Sequence, residues 1–406
     1  MQRSITRRTA AAVLAAGLLA AVTAACSSPS KAAGGSTGGT NTGAASADPI
    51  KVGLVYSQTG PLAGYGKAYY QGFQAGLDYA THGTGAVNGH KIEVTQADDA
   101  GDPTKAVSAA KDLIGKGFHI LAGSTASGVA LQVAPLAAQN KVLFVSGPAA
   151  TDEVTGVNKY TFRSGRQTYQ DIATAATFLP SVSGKHVTVL AQDSAFGQAN
   201  VKAVQAVLGA QGATVDSVLA PPSATDLTPF ATQAKDKKPD LLFVAWAGTT
   251  AQALWTALSQ QGVLSSTTTV TGLDARASYP VFASTGGKVS FLAHYVPGGT
   301  SNDAAKAMDA YLAKNSGQSD LFTPDGFTAA QMIVKAAENG DSDVDAMVKK
   351  LEGWTFDGVK GSYTVRAADH ALLQPMFQAK LDGTTPSVVK TLDPAAVAPA
   401  AKTIAG

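Results

Sequence analysis

The chain has 406 residues, 31 basic against 29 acidic side chains, and a formal net charge of +2. Three arginines and no acid fall within residues 1–25, so without that segment the balance is 28 to 29, or −1. A near-neutral body gives no footprint for nucleic acid, and one cysteine excludes a disulfide framework or a Cys-based zinc site.

Residues 1–25 read as a targeting segment. Arg3, Arg7 and Arg8 form a basic region, and the run from Thr9 to Ala25 is apolar or small and too short for a membrane span. Thr23-Ala24-Ala25-Cys26 resembles a bacterial lipobox, with Thr23 where leucine is usual. Lipidation explains Cys26 better than redox chemistry or packing. Arg7-Arg8 as a twin-arginine signal is the minor option. Residues 26–48 are Ser, Gly, Thr, Ala and Asn-rich, with too little apolar surface to fold, and read as a flexible tether.

From there strands and helices alternate, which points to parallel βαβ units in an α/β fold. Strand-like runs are Ile50–Tyr56, Lys91–Ala97, Phe118–Ala122 and Val142–Val145; helical patterns are Tyr65–Tyr79, Thr104–Gly115 and a segment from Ser127. Pro135 falls inside that last segment and is expected to kink or shorten it. The rhythm restarts after Phe162-Arg163-Ser164. Strands are expected at Val187–Ala191, Val215–Leu219, Leu241–Ala245 and Thr267–Thr271, with helices between them. Helices over Asp303–Lys314, Thr328–Asn339 and Val344–Leu351 then lead to a hairpin-like tail. No later apolar run reaches the length of a membrane span.

The stretch Leu121–Thr151 holds one device twice: an apolar run meets a turn of small and hydroxyl residues. Parallel strands end this way, and ligands bind beyond their carboxyl ends. A helix start offers free N–H groups to an anion. Ser127 and Thr151 are therefore candidate hydroxyl donors flanking a carboxylate; the alternative is that both are N-caps. The sequence holds no Gly-x-Ser-x-Gly, no phosphate loop and no His-Glu-x-x-His, and its histidines (82, 90, 119, 186, 294, 370) are scattered. No catalytic residue, metal or cofactor is expected. Asp98-Asp99 could hold a cation, but a solvated turn or a helix cap is the simpler reading.

An ordered set of motifs resembles the branched-chain amino-acid-binding (leucine/isoleucine/valine-binding-like) family. Its members are extracytoplasmic solute receptors of ABC importers. The matching stretches are Gly60-Pro61-Leu62 with Tyr65-Gly66, Asn88-Gly89-His90, Asp98-Asp99, Gly123 to Ser127, Gly147 to Thr151, Phe162-Arg163, Phe196-Gly197, Gly272-Leu273-Asp274 and Phe356-Asp357-Gly358. The resemblance implies the type I periplasmic-binding fold: two doubly wound parallel-sheet lobes joined by three crossovers, near Phe162–Arg166, Ala293–Gly298 and Leu372–Gln374. Lobe 1 is then 49–163 with 297–372, lobe 2 is 164–296 with 373–394, and 395–406 is a loose tail.

The same resemblance places Ser127, Ala149 and Thr151 at a ligand's α-carboxylate and Asp274 at its α-ammonium. It makes Tyr65 and Phe322 walls of a side-chain pocket. Phe196 replaces a usual tyrosine, and Thr249 stands where an aromatic often closes the site, with Trp246 as a substitute. The implied function is capture of an amino acid and its delivery to ABC permease subunits by a lipid-anchored, monomeric, non-enzymatic receptor. The alternatives are a sensor signalling to a protein partner, or a receptor for amides, urea or aromatic acids.

Overall fold

The structure is a computed structural model that describes residues 47–405. The targeting segment, Cys26 and nearly all of the proposed tether lie outside the described residues. The tether's last two positions belong instead to the first strand, where the Asp48 carbonyl meets His90 Nδ1 at 2.8 Å.

The first half folds as β1 (Ala47–Tyr56), α1 (Ala63–Ala80), β2 (Ala86–Val87), β3 (His90–Asp98), α2 (Pro103–Gly115), β4 (Ile120–Gly123), α3 (Ser127–Asn140), β5 (Leu143–Ser146) and β6 (Thr161–Arg163). These strands form a six-stranded sheet in the order β2-β3-β1-β4-β5-β6, parallel except for β2. All four residues of β4 and of β5 are buried. That suits parallel strands covered by helices on both faces.

The chain then builds α4 (Thr168–Ala176), β7 (His186–Gln192), α5 (Ala195–Val207), β8 (Thr214–Ala220), α6 (Thr228–Asp236), β9 (Leu241–Ala245), α7 (Ala251–Gln260), β10 (Thr268–Gly272), α8 (Tyr279–Ala283) and β11 (Val289–Ala293). It returns to the first lobe with α9 (Asp303–Lys314), α10 (Thr323–Ala336), α11 (Val344–Leu351), β12 (Thr355–Gly358), β13 (Gly361–Val365) and β14 (Leu372–Leu373). The last elements are β15 (Met376–Asp382), β16 (Thr385–Leu392) and α12 (Pro394–Val397). The second sheet runs β16-β15-β11-β10-β9-β7-β8, with β15 and β16 antiparallel at its edge. Strands β12, β13 and β14 form a small antiparallel sheet of their own.

Two details position the site. Strand order reverses between β1 and β4 in one sheet and between β7 and β9 in the other. The loops that follow these strands splay apart there and leave a crevice at each sheet's carboxyl edge. Helices α1 and α10 cross at backbone contact: a Cβ at Gly72 would overlap the Thr323 carbonyl, and one at Gly326 would overlap the Tyr69 carbonyl. This crossing holds α10, and the Leu321-Phe322 turn before it, against the N-terminal half of α1.

Two expectations need correction. Helix α3 runs through Pro135 to Asn140 without being shortened. Pro135 is on the exposed face, so the carbonyl that loses its partner can meet water. The C-terminal segment is not loose. Val397 packs with Met376, Leu392 and Ala173 of the second lobe. Beyond it, Arg366 Nη1 donates to the Pro399 carbonyl (2.8 Å), the Lys402 amide to Asp369 Oδ2 (3.0 Å), Lys402 Nζ to the Asp152 carbonyl (2.9 Å) and the Ala405 amide to the Gly156 carbonyl (3.0 Å).

Candidate functional site

A cavity of about 430 Å³ lies where the two sheets' carboxyl edges face each other. One wall comes from the ends of β1, β3, β4 and β5, the other from the ends of β7, β9 and β10, and the floor from the segments linking the lobes. Of the residues expected at a ligand, Ser127, Asp274, Tyr65, Phe196, Trp246, Thr249 and Phe322 all line this one cavity.

Ala149 and Thr151 do not. Arg163, only 1% exposed, reaches under their loop and donates to the Ala149 carbonyl (3.1 Å), the Arg166 carbonyl (2.8 Å) and the Thr151 carbonyl. The Ala149 amide donates to the Ser124 carbonyl (3.2 Å) and the Thr151 amide to Ser127 Oγ (3.3 Å). With these groups turned inward, the loop shows Pro148 and Ala150 to the cavity instead. Thr151 is a cap after all: its hydroxyl accepts from the Glu153 amide at 3.4 Å. Ser127 is not one. Ala126 occupies the N-cap position of α3 with no side-chain bond, and Ser127 is the first helical residue. The start of α3 therefore presents backbone donors on the cavity wall.

Asp274 follows β10 and faces α1 across the cavity. Its Oδ1 accepts from the Tyr65 hydroxyl (2.6 Å) and the Ala275 amide (2.7 Å), and its Oδ2 from the Ser278 hydroxyl (2.8 Å). Burial pushes the Asp274 carboxyl up, and these three donors pull it back. Tyr65, raised well above its ordinary range by burial and then by the Asp274 charge, stays protonated and donates. The Gly248 amide, after β9, donates to the same hydroxyl at 3.3 Å. One side chain of the first lobe thus ties two loops of the second. A second tie runs from Arg276 to the first lobe, through its amide to Asp320 Oδ1 (2.9 Å) and its Nε to the Ser319 carbonyl (2.7 Å). A third joins Lys202 and Glu153 at 2.5 Å.

The aromatic walls are fixed by local contacts. Tyr65 meets Phe322 edge-on at 5.0 Å between centroids. The Trp246 indole N–H donates to Thr250 Oγ1 at 3.0 Å, which holds the ring against the cavity while Thr249 stays exposed at the rim.

Three charged or titratable lining residues were missed in the sequence: Arg166, Asp171 and His294. All are buried. Arg166 and His294 sit in the expected crossovers, and a charged or titratable residue in such a link was the available signal. Burial, then the Arg166 and Lys360 charges, push the His294 imidazole well below its ordinary range. It is neutral, with Nε2 on the Leu321 carbonyl at 3.0 Å. Asp98 and Asp99 form a turn cap: Asp98 accepts from the Gln58, Thr59 and Ala100 amides and the Thr59 hydroxyl, and Asp99 from Ser57 and the Gly101 amide. No cluster of metal-ligating side chains occurs among the described residues. No helix among them is long and apolar enough to cross a membrane.

Comparisons with known proteins agree with this architecture. A family model described as periplasmic binding protein matches residues 49–386. The Leu/Ile/Val-binding protein BraC3 of Rhizobium johnstonii is 29% identical over 309 residues, covering 74% of this chain and 82% of that protein. The leucine-, isoleucine-, valine-, threonine- and alanine-binding protein of Pseudomonas aeruginosa is 26% identical, covering 78% and 86%. A crystal structure of an ABC-type branched-chain amino acid transporter protein from Rhodopseudomonas palustris superimposes with a TM-score of 0.72 at 29% identity, covering 87% of this chain and 99% of that one. A solute-binding protein from the same species, in complex with p-hydroxybenzoic acid, shares the fold with a TM-score of 0.78 at 24% identity.

Proposed function

The chain belongs to the periplasmic binding protein family, and from that premise we propose that its cavity captures an amino acid, branched-chain or related, and delivers it to a membrane permease. It is an extracytoplasmic solute-binding protein of an ABC transporter, and it is not an enzyme. The observation that carries the choice of ligand is one pair of opposed groups. The uncapped start of α3 at Ser127 offers donors to a carboxylate on one wall, and Asp274 offers an acceptor to an ammonium on the other. A carboxylate has about four acceptor sites. Asp274 uses three, which leaves one for a ligand N–H. Charge-assisted bonds at both ends fix the backbone of an amino acid and leave its side chain to the walls of Tyr65, Phe196, Trp246, Thr249 and Phe322. Ligand binding then favours the closed arrangement in which Tyr65 meets Asp274.

The second reading, an aromatic acid, is favoured by the same four aromatic side chains on the wall. A thermal-shift screen of the protein without residues 1–26 separates the two. A ligand at a hundred times its dissociation constant stabilises the fold by about 2.7 kcal/mol. Shifts confined to amino acids support the carboxylate–ammonium clamp; shifts confined to aromatic acids or amides keep the receptor and remove the ammonium role of Asp274.

Anchoring by a lipid on Cys26 is supported by the small residues before that cysteine and by its being the only one in the chain. Cys26→Ser is expected to move the protein from the detergent phase to the aqueous phase. A monomer is supported by the surface, where Val389 is the only exposed large apolar side chain among the described residues.

A further inference from the structure

Most polar side chains on the cavity wall have their bonds met within the protein. The Trp246 indole is held by Thr250, Gln192 Oε1 by the Ala247 amide, and Asn200 Nδ2 by the Phe196 carbonyl. Thr271 donates to the Val244 carbonyl, and Asp274 has three donors. Asp171 differs. It lies in the first turn of α4, is 4% exposed and lines the cavity. Its Oδ2 accepts from Arg166 Nε at 3.2 Å, but its Oδ1 is buried with no partner. Among the described residues, no other cavity-lining side chain has a buried polar atom in that condition.

Arg166 stands beside it, on the linking segment that floors the cavity. Its Nη1 donates to the Pro148 carbonyl at 2.9 Å, and its guanidinium lies 5.6 Å from the centre of the Phe322 ring. A guanidinium has five N–H donors in a fixed fork. Nε and Nη1 are engaged, and Nη2 makes no bond among the described residues. Asp171 Oδ1 lies just behind the cavity surface, so a ligand bond to it requires the carboxyl to turn toward the cavity, while Arg166 Nη2 is the unused donor beside it.

We propose that Asp171 and Arg166 form a specificity subsite for a neutral ligand group that both donates and accepts a hydrogen bond, a hydroxyl or a carboxamide. The inference rests on the reading that this cavity is the solute site. The group's N–H or O–H meets Asp171 Oδ1, and its oxygen accepts from Arg166. Other ligand ends fit worse. An alkyl end leaves a buried carboxylate oxygen unpaired, which costs far more than the same contact gains. A carboxylate has no donor for Asp171, and an ammonium meets the Arg166 charge. A site built to bond a hydroxyl or amide rejects the analogue lacking it far more strongly than an apolar pocket rejects a changed methylene. Within the amino-acid class proposed above, the subsite thus favours a related member with a polar side chain over leucine, isoleucine or valine.

The test is calorimetric titration of the full chain with three shape-matched pairs: asparagine against leucine, threonine against valine, and 4-hydroxybenzoate against 4-methylbenzoate. In whichever pair binds, the polar member is expected to bind at least about tenfold more tightly. Asp171→Asn and Asp171→Leu, each checked for folding by circular dichroism, should reduce that preference, and Asp171→Leu should bring the apolar member level or ahead. Equal affinity of both members for the unaltered protein, or an unchanged preference in a folded Asp171→Leu variant, overturns the subsite while leaving the cavity as the solute site. If all six compounds fail to bind, the ligand class proposed above falls, and the subsite with it.

Discussion

Tyr65→Phe isolates the tie across the cavity. The change removes one oxygen and leaves a ring that still packs edge-on against Phe322 at 5.0 Å. Two bonds go with that oxygen: its donation to Asp274 Oδ1 at 2.6 Å and its acceptance from the Gly248 amide at 3.3 Å. The first is short and involves a carboxylate, and such bonds contribute about 1.5–3 kcal/mol. The second is long and adds little. When the lobes part, water can satisfy Tyr65 and Asp274 separately, so the loss falls on the closed state. Because the ligand is held in that state, the loss passes into affinity. At 1.4 kcal/mol per factor of ten, binding should weaken about tenfold to a hundredfold. The assay is calorimetric titration with the tightest ligand from the thermal-shift screen, alongside small-angle scattering of the liganded protein. Affinity within about twofold of the unaltered protein, with the same scattering profile, would refute the idea that this hydroxyl helps hold the cleft closed.

Three other predictions follow from the scaffold. Asp98 has its carboxyl brought down from 3.8 to about 2; partial burial raises it, but bonds from the Thr59 hydroxyl and three amides outweigh that. Its contribution is therefore present above pH 3.8 and lost as pH falls toward 2, so the melting temperature of Asp98→Asn should fall less steeply over that window than that of the unaltered protein. Removal of residues 398–406 deletes the four bonds made by Pro399, Lys402 and Ala405; urea unfolding should show a loss of about 1–2 kcal/mol, and no change in midpoint would mean the segment carries no stability. Gly326→Ala drives a methyl into the Tyr69 carbonyl where α10 crosses α1; the helices must separate, at about 1–3 kcal/mol or more, read as a lower urea midpoint.

Much of the fold was legible because parallel sheets write themselves as short apolar runs. Leu241–Ala245 is five buried residues in a row, and its boundaries in sequence and structure coincide. The cavity walls were legible for a related reason: Ser127, Trp246 and Asp274 each stand just past the end of such a run, where the topology leaves a crevice. What the sequence did not carry is the direction in which a group points. Ala149 and Thr151 sit at the right place in the chain, yet the buried Arg163 takes their carbonyls and turns the loop, and nothing local to 149–151 announces that. Asp171 was hidden differently. A lone acid in the first turn of a helix reads as a helix-dipole partner facing water, and only the packing of α4 against the second sheet buries it. The tail was misread because a chain rich in Ala and Pro shows no periodicity, while its anchors, Arg366 and Asp369, lie more than thirty residues away.

The two acids of the cavity then have separable roles. Asp274 is engaged by a tyrosine of the opposite lobe, so whatever ammonium it meets is gripped together with closure, and its contribution cannot be weakened without also loosening the cleft. Asp171 takes no part in the ties between Tyr65, Gly248 and Asp274, and its only side-chain partner is Arg166. A change there alters which solute is preferred and leaves those ties untouched. If both assignments hold, Tyr65→Phe weakens every ligand by a similar factor, whereas Asp171→Leu reorders ligands within a matched pair. Those two patterns cannot be produced by one shared defect in folding, and measuring both variants against the same six compounds distinguishes a closure group from a selecting one.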